Sequence, residues 1–444
     1  MCGDKLKNIK NNKPSVKTYK IKVLAFLCCM LSLIFCTSGC SLVVDILNEI
    51  SSSIKNSIYD ESVPPTTEPF PSVPIINSER KLYGFDNISD EKAKVVYGLI
   101  DENIGNVVNN AYRLPGELTL KQIAEAVDAY LNDHPEVFWL KYDFSYVYEN
   151  GYTNIFFKLS MDSSERVEGQ KKLDAVVDKI IAEAPENASA LELEIYINDY
   201  LVDNCEYDDE AAKSKEILGN ANDAYGALVE KKAVCEGYTR AFSLLCNEFG
   251  IENTCVSGVG ADPDGRQEPH IWNCVKLGES WYHLDVTWND SNSENDNITR
   301  YIYLNLDDET MYQNHTPGKL YSEISDEEFE KNAEYRCNSF VPKCDSMDYN
   351  YYQLKGVELD SFDDCDDLVD SLADVAKRKD DCFYILIDED INYDDALNQI
   401  VDGYMMDWVE KANLQNFYNP TIEDSLYIYD VKLLNLVIVE MKYK

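Results

Sequence analysis

Apolar positions recur with helical spacing in some stretches and alternate in others. Thr119 and Gln122 form a capping-box signal, and Ile123, Val127, Tyr130 and Leu131 follow on one helical face. The runs 142–149 and 152–160 alternate around Asn150-Gly151, which predicts a β-hairpin. Val167, Leu173, Val177, Ile180 and Ile181 predict a helix over about 164–184, stopped by Pro185. Ser189 and Glu192 open a further helix. Near the far end, Phe362, Cys365, Leu368, Val369 and Leu372 predict a helix over 361–377. The run 382–387 reads as a buried strand, 394–414 as one helix, and 425–429 with 432–443 as a final hairpin. This punctuation predicts a small N-terminal α+β domain over 80–185, a second domain over 186–340 and a C-terminal α/β sandwich over 345–444. The overall class is α+β.

The first 79 residues follow no such pattern. Seven lysines precede the apolar run 23–36, and Thr37-Ser38-Gly39-Cys40 follows. A basic region, a short apolar region and small residues describe an export signal, and the apolar run is short for a membrane span. The end resembles a bacterial lipoprotein signal. That resemblance implies a signal peptide over 1–39, cleavage before Cys40 and lipid attachment to it. Residues 40–79 then read as a Ser/Pro-rich linker, since Ser51–Ser53 and Pro64-Pro65 lack periodicity. The chain is expected to be extracytoplasmic and lipid-anchored to the bacterial cell membrane.

Charge narrows the partners. The chain of 444 residues carries −41, and residues 1–39 contribute +6 (seven Lys, one Asp), so the remainder carries −47. Such a surface repels phosphate backbones and excludes nucleic acid as a partner. Nine cysteines lie beyond Cys40, none in a CxxC pair, and there are four histidines. The expectation is therefore no zinc site, no essential metal and no cofactor. The oxygen-rich Asp290, Asn292, Glu294, Asn295 and Asp296 lack the glycine of an EF-hand turn and read as a solvated loop.

Chemistry concentrates in 223–290. Gly226 and the charged run 230–232 precede Cys235, while Ala241, Leu244, Leu245 and Phe249 recur helically up to Gly250. Cys235 is thus expected at a helix start, where unpaired N–H groups and the helix dipole favour a thiolate and can hold an oxyanion. Two β-rich runs then flank Gly278. With a Leu277-Gly278 loop, Trp272 faces His283 and His270 faces Asp285, within reach of an imidazole–carboxylate bond. A three-residue loop would put His270 and Asp285 on opposite faces. His283 lies on Asp285's own strand and is poorly placed to bond it, His315 shows no partner, and His134 before Pro135 reads as a helix-end residue. Cys235, His270 and Asp285 have the types needed for nucleophile, base and orienting acid in acyl transfer.

In 223–290 the chain resembles the transglutaminase-like superfamily. The matching segments are Val-Cys-Glu-Gly-Tyr at 234–238, His-Ile-Trp-Asn at 270–273 and Trp-Tyr-His-Leu-Asp-Val-Thr-Trp at 281–288, with 197–208 similar to the segment before that core. The resemblance implies a papain-like fold with Cys235 as nucleophile, His270 as base and acid, and Asp285 as orienting acid. It implies attack on a peptide or carboxamide carbonyl, a thioester acyl-enzyme, and release to water or an amine. The expected partners are peptide or protein amides, in a cell-wall setting. A second reading is a non-catalytic surface binding or assembly protein that keeps the fold.

Overall fold

The computed structural model describes residues 68–444 apart from 107–110, 215–218, 263, 291–295, 332–335, 417–420 and 424–425. The segments expected to be the export signal and most of the linker, with Cys40, lie outside the described residues, as does most of the oxygen-rich loop. Residues 66–444 make one compact unit. Among the described residues no helix is long and apolar enough to cross a membrane.

The first sheet is antiparallel, in the order β1 (Tyr112–Pro115), β3 (Tyr152–Leu159), β2 (Leu140–Glu149). Asn150 and Gly151 take φ of 54° and 81°, the left-handed pair that a tight hairpin turn needs. Helices α1 (Glu91–Asn103), α2 (Leu120–Asp133) and α3 (Ser163–Glu183) accompany it. Capping boxes start α2 at Thr119, α3 at Asp162 and α4 (Ala190–Asn204) at Ser189. The first of these boxes and the last are those expected from the pattern.

The second sheet has five antiparallel strands in the order β10 (His315–Pro317), β6 (Asn253–Ala261), β7 (Gln267–Leu277), β8 (Ser280–Leu284), β9 (Leu304–Leu306). Helix α5 (Cys235–Glu248) packs across β6 and β7. A short parallel pair, β4 (Glu206–Tyr207) and β5 (Lys232–Ala233), sets Tyr207 beside Ala233. One apolar core runs from Ile88 to Leu304 and takes in α2, α4 and α5 together. The buried ion pair of Lys141 and Asp223 crosses the same region.

The third sheet has the order β11 (Val357–Leu359), β12 (Cys382–Ile387), β14 (Leu436–Glu440), β13 (Tyr427–Val431), with β11 parallel to β12. Helices α6 (Asp366–Arg378) and α7 (Met405–Gln415) share its core. The single helix expected over 394–414 is interrupted. A helix over Tyr393–Gln399 widens into a π-type turn over Ile400–Tyr404, with Gly403 outside helical geometry, before α7 begins. A third apolar cluster joins Trp272 and Cys274 of β7 to Leu436 and Ile438 of β14.

Candidate active site

Cys235 is the first residue of α5, with Val234 as an extended N-cap. Val234 N–H donates to Ala221 O at 2.9 Å, and the Val234 carbonyl accepts from Gly237 and Tyr238. Gly237 is required by close approach, since a Cβ there would sit 2.4 Å from Ala221 O. The N–H groups of Cys235 and Glu236, ahead of Gly237 and Tyr238, have no intrahelical acceptor and remain available. The next residue, Glu236, is buried and accepts from both Arg240, at 2.8 Å, and Arg336, at 2.6 Å. Burial pushes its carboxyl up, but the two guanidinium groups outweigh this and hold it at about 2.

The hairpin differs from the expected register. Leu277 pairs with Ser280, Val275 with Tyr282 and Cys274 with His283. The loop is therefore Gly278-Glu279, not Leu277-Gly278. Gly278 has φ 61° while Glu279 is not left-handed, which is the pattern of a type II′ turn with glycine first. The register moves by two residues, one full side-chain period, so the faces are preserved. Pairing ends at Leu284, and Asp285 leaves the strand to cap the short helix Val286–Asn289.

Asp285 still meets His270. Its Oδ2 lies 2.5 Å from His270 Nε2, and its Oδ1 accepts from Trp288 N–H at 3.1 Å. Cys235 lies close enough to His270 to help raise its imidazole, and with Nε2 on Asp285 the nitrogen left to face the thiol is Nδ1. His270 and Asp285 are thus in direct contact, with Cys235 in the neighbourhood of that imidazole. Burial lowers the His270 imidazole, but the Asp285 charge and hydrogen bond and the Cys235 contact carry it up to about 10. Burial raises the Asp285 carboxyl, yet His270 overrides that and holds it well below the usual carboxylate range.

His315, which shows no partner along the sequence, is fully buried with Nε2 3.0 Å from Asp285 Oδ2 and Nδ1 2.7 Å from Asn314. Burial, aided by the neighbouring His270, lowers its imidazole below the ordinary value despite Asp285. The Asn314–His315 dipeptide carries no local signal for this role; strand β10 pairs with β6 and delivers it from 30 residues away. His283 turns away from Asp285 and bonds Asp308 at 2.9 Å. Asn273 clamps β7 to α5 through Thr239 O at 3.2 Å and Ser243 Oγ at 2.9 Å, so the strand bearing His270 is fastened to the helix bearing Cys235.

A cleft of about 330 Å³ opens over His270, lined also by Tyr207, Asp209, Glu268, Trp288 and Asp290. Tyr207 reaches it through the β4–β5 pair, two positions from Cys235.

Comparisons with known proteins find partial similarities. Kyphoscoliosis peptidase of Mus musculus is 30% identical over 142 residues, which is 30% of this chain and 20% of that protein. The chain therefore spans about a fifth of this relative's length. Among solved structures, one described as a TGase is 17% identical with a TM-score of 0.23, over 40% of this chain and 50% of its own. A candidate cysteine protease from Cytophaga hutchinsonii is 13% identical with a TM-score of 0.20, over 33% and 61%. Residues 174–286, which hold Cys235, His270 and Asp285, match the model of the transglutaminase-like superfamily, and the chain carries a transglutaminase-like core.

Proposed function

We propose that this protein is a thiol enzyme that attacks peptide or carboxamide carbonyls through Cys235, His270 and Asp285. The carrying observation is the His270–Asp285 bond, with His270 lining an open cleft and the partly buried Cys235 near enough to raise its imidazole. The thiol proton of Cys235 passes to His270, the sulfur adds to the carbonyl carbon, and the N–H of Cys235 stabilises the oxyanion. We assign Tyr207, from the cleft wall, as the second donor to that oxygen. His270 passes a proton to the leaving amine as the tetrahedral species collapses to a thioester. It then takes a proton from water or an incoming amine, whose attack frees the thiol. Asp285 holds the imidazole and its charge.

The setting we propose is extracytoplasmic, with Cys40 lipidated and residues 41–79 spacing the enzyme from the membrane. The stretches 80–185 and 345–444 would position peptide or protein substrates, with cell-wall peptides a natural class at that location.

The test is mass spectrometry of glutamine-containing peptides incubated with the protein and a primary amine. Amine addition, a one-dalton gain through water, or chain cleavage separates transamidation, deamidation and proteolysis. All products should vanish in Cys235→Ala and fall in His270→Ala. Products that persist unchanged in both variants would overturn the reading.

A further inference from the structure

A second group of chemistry-bearing side chains lies further along the same face of the hairpin, toward its turn. We propose that Cys274, His283 and Cys344 bind one zinc ion. Their donor atoms all lie within 4.8 Å of one another, and all three residues are buried. Cys274 and His283 sit directly opposite on β7 and β8. Cross-strand pairing brings Cys274 Sγ to 3.2 Å from His283 Nδ1. Cys344 arrives from the segment ahead of the third sheet, held by its own N–H to Asp308 Oδ1 at 3.2 Å.

The imidazole is oriented as a ligand. His283 Nε2 lies 2.9 Å from Asp308 Oδ1, so it carries the proton there and Nδ1 turns its lone pair to the thiols. A carboxylate on the far nitrogen is the arrangement that fixes a metal-binding imidazole and raises its basicity. One aspartate thereby steadies two of the three ligands.

Trp272 Nε1–H, at 3.0 Å, and the Cys274 thiol converge on the single Nδ1 lone pair. Zinc takes that lone pair and displaces both thiol protons to solvent, leaving the indole N–H a thiolate sulfur to donate to. Two thiolates balance the ion's double charge, so the buried site is neutral, as a low-dielectric interior requires. Thiolate and imidazole are both ligands that zinc accepts, and three of them leave a fourth tetrahedral position for water. The ligands flank the proposed catalytic pair along the hairpin, Cys274 after His270 and His283 before Asp285, so the ion would brace the strands that carry them.

The full chain, with Cys235→Ser to remove the proposed nucleophile, should be reduced, stripped with a chelator and titrated with Zn²⁺. One zinc per chain by elemental mass spectrometry is expected, and Co²⁺ in its place should show thiolate-to-metal charge-transfer bands. Cys274→Ser and Cys344→Ser should each lose the bands and weaken binding at least tenfold. Asp308→Asn keeps all three ligands and should weaken binding by about 10- to 100-fold. No uptake, uptake unchanged in these variants, or a Cys274–Cys344 disulfide in the protein as isolated would overturn the proposal. None of these outcomes depends on turnover at Cys235.

Discussion

His315 bonds the same Asp285 oxygen that holds His270, at 3.0 Å against 2.5 Å. One carboxylate oxygen thus serves a charged imidazole that faces the cleft and a neutral one behind it. The buried imidazole fixes where the carboxylate points, and the carboxylate fixes the base.

His315 is therefore expected to act through Asp285. Losing one hydrogen bond to a charged group is worth about 1.5 kcal/mol, or roughly a tenfold fall in kcat/KM for His315→Ala. His315→Gln retains a donor and should recover most of that loss. Steady-state kinetics of the two variants check this; equal losses in both would point to packing alone.

The pH profile follows from the raised His270. Its imidazolium persists up to about pH 10, so kcat/KM is expected to hold until then and fall above it. Asp285→Asn removes the charge that raises the group, and the basic limb should move to lower pH. The same sign governs stability: the His270–Asp285 contribution is complete below the unfolded imidazole value near ~6.5 and is lost as pH rises through about 10. An unmoved limb in Asp285→Asn would remove Asp285 from this role.

Glu236 joins Arg240 and Arg336 beneath the start of α5. Glu236→Gln removes the buried carboxylate that both guanidinium groups bond, leaving them only the charge of Asp128, at a cost of about 3 kcal/mol by urea unfolding at pH 7. The carboxyl is held at about 2 against an ordinary value near ~4.5. Its contribution is thus present above that ordinary value and is lost as the pH falls toward 2. The gap between parent and variant should close over the same interval.

Tyr207→Phe removes the proposed second oxyanion donor and nothing else from the cleft wall. A loss of about 100-fold in kcat, with KM little changed, is expected of such a donor. A change confined to KM would make Tyr207 a substrate contact instead.

Much of this was legible along the chain because it is encoded locally. The boxes at Thr119 and Ser189 begin helices since their partners are three residues away. The Asn150-Gly151 turn needs only two left-handed residues. Cys235 at a helix start follows from the periodicity after it and the broken pattern before it. The meeting of His270 and Asp285 was readable for a narrower reason: a two-residue error in register leaves every side chain on its own face. Gly278 decided the register through its φ, which placed it first in the turn.

Contacts between distant segments were not legible, because no spacing rule connects residues whose proximity is set by sheet order. Strand β10 lies next to β6, far from its sequence neighbours, and so His315 lands on Asp285. Arg336 reaches Glu236 across 100 residues, and Cys344 reaches the Cys274–His283 pair from beyond β10. By itself the sequence determined which residues can be nucleophile, base and acid, and which local elements carry them, since propensity, capping and turn geometry act over a few residues. Only the tertiary structure decided which groups stand behind them, because burial and charge compensation are properties of the packed core.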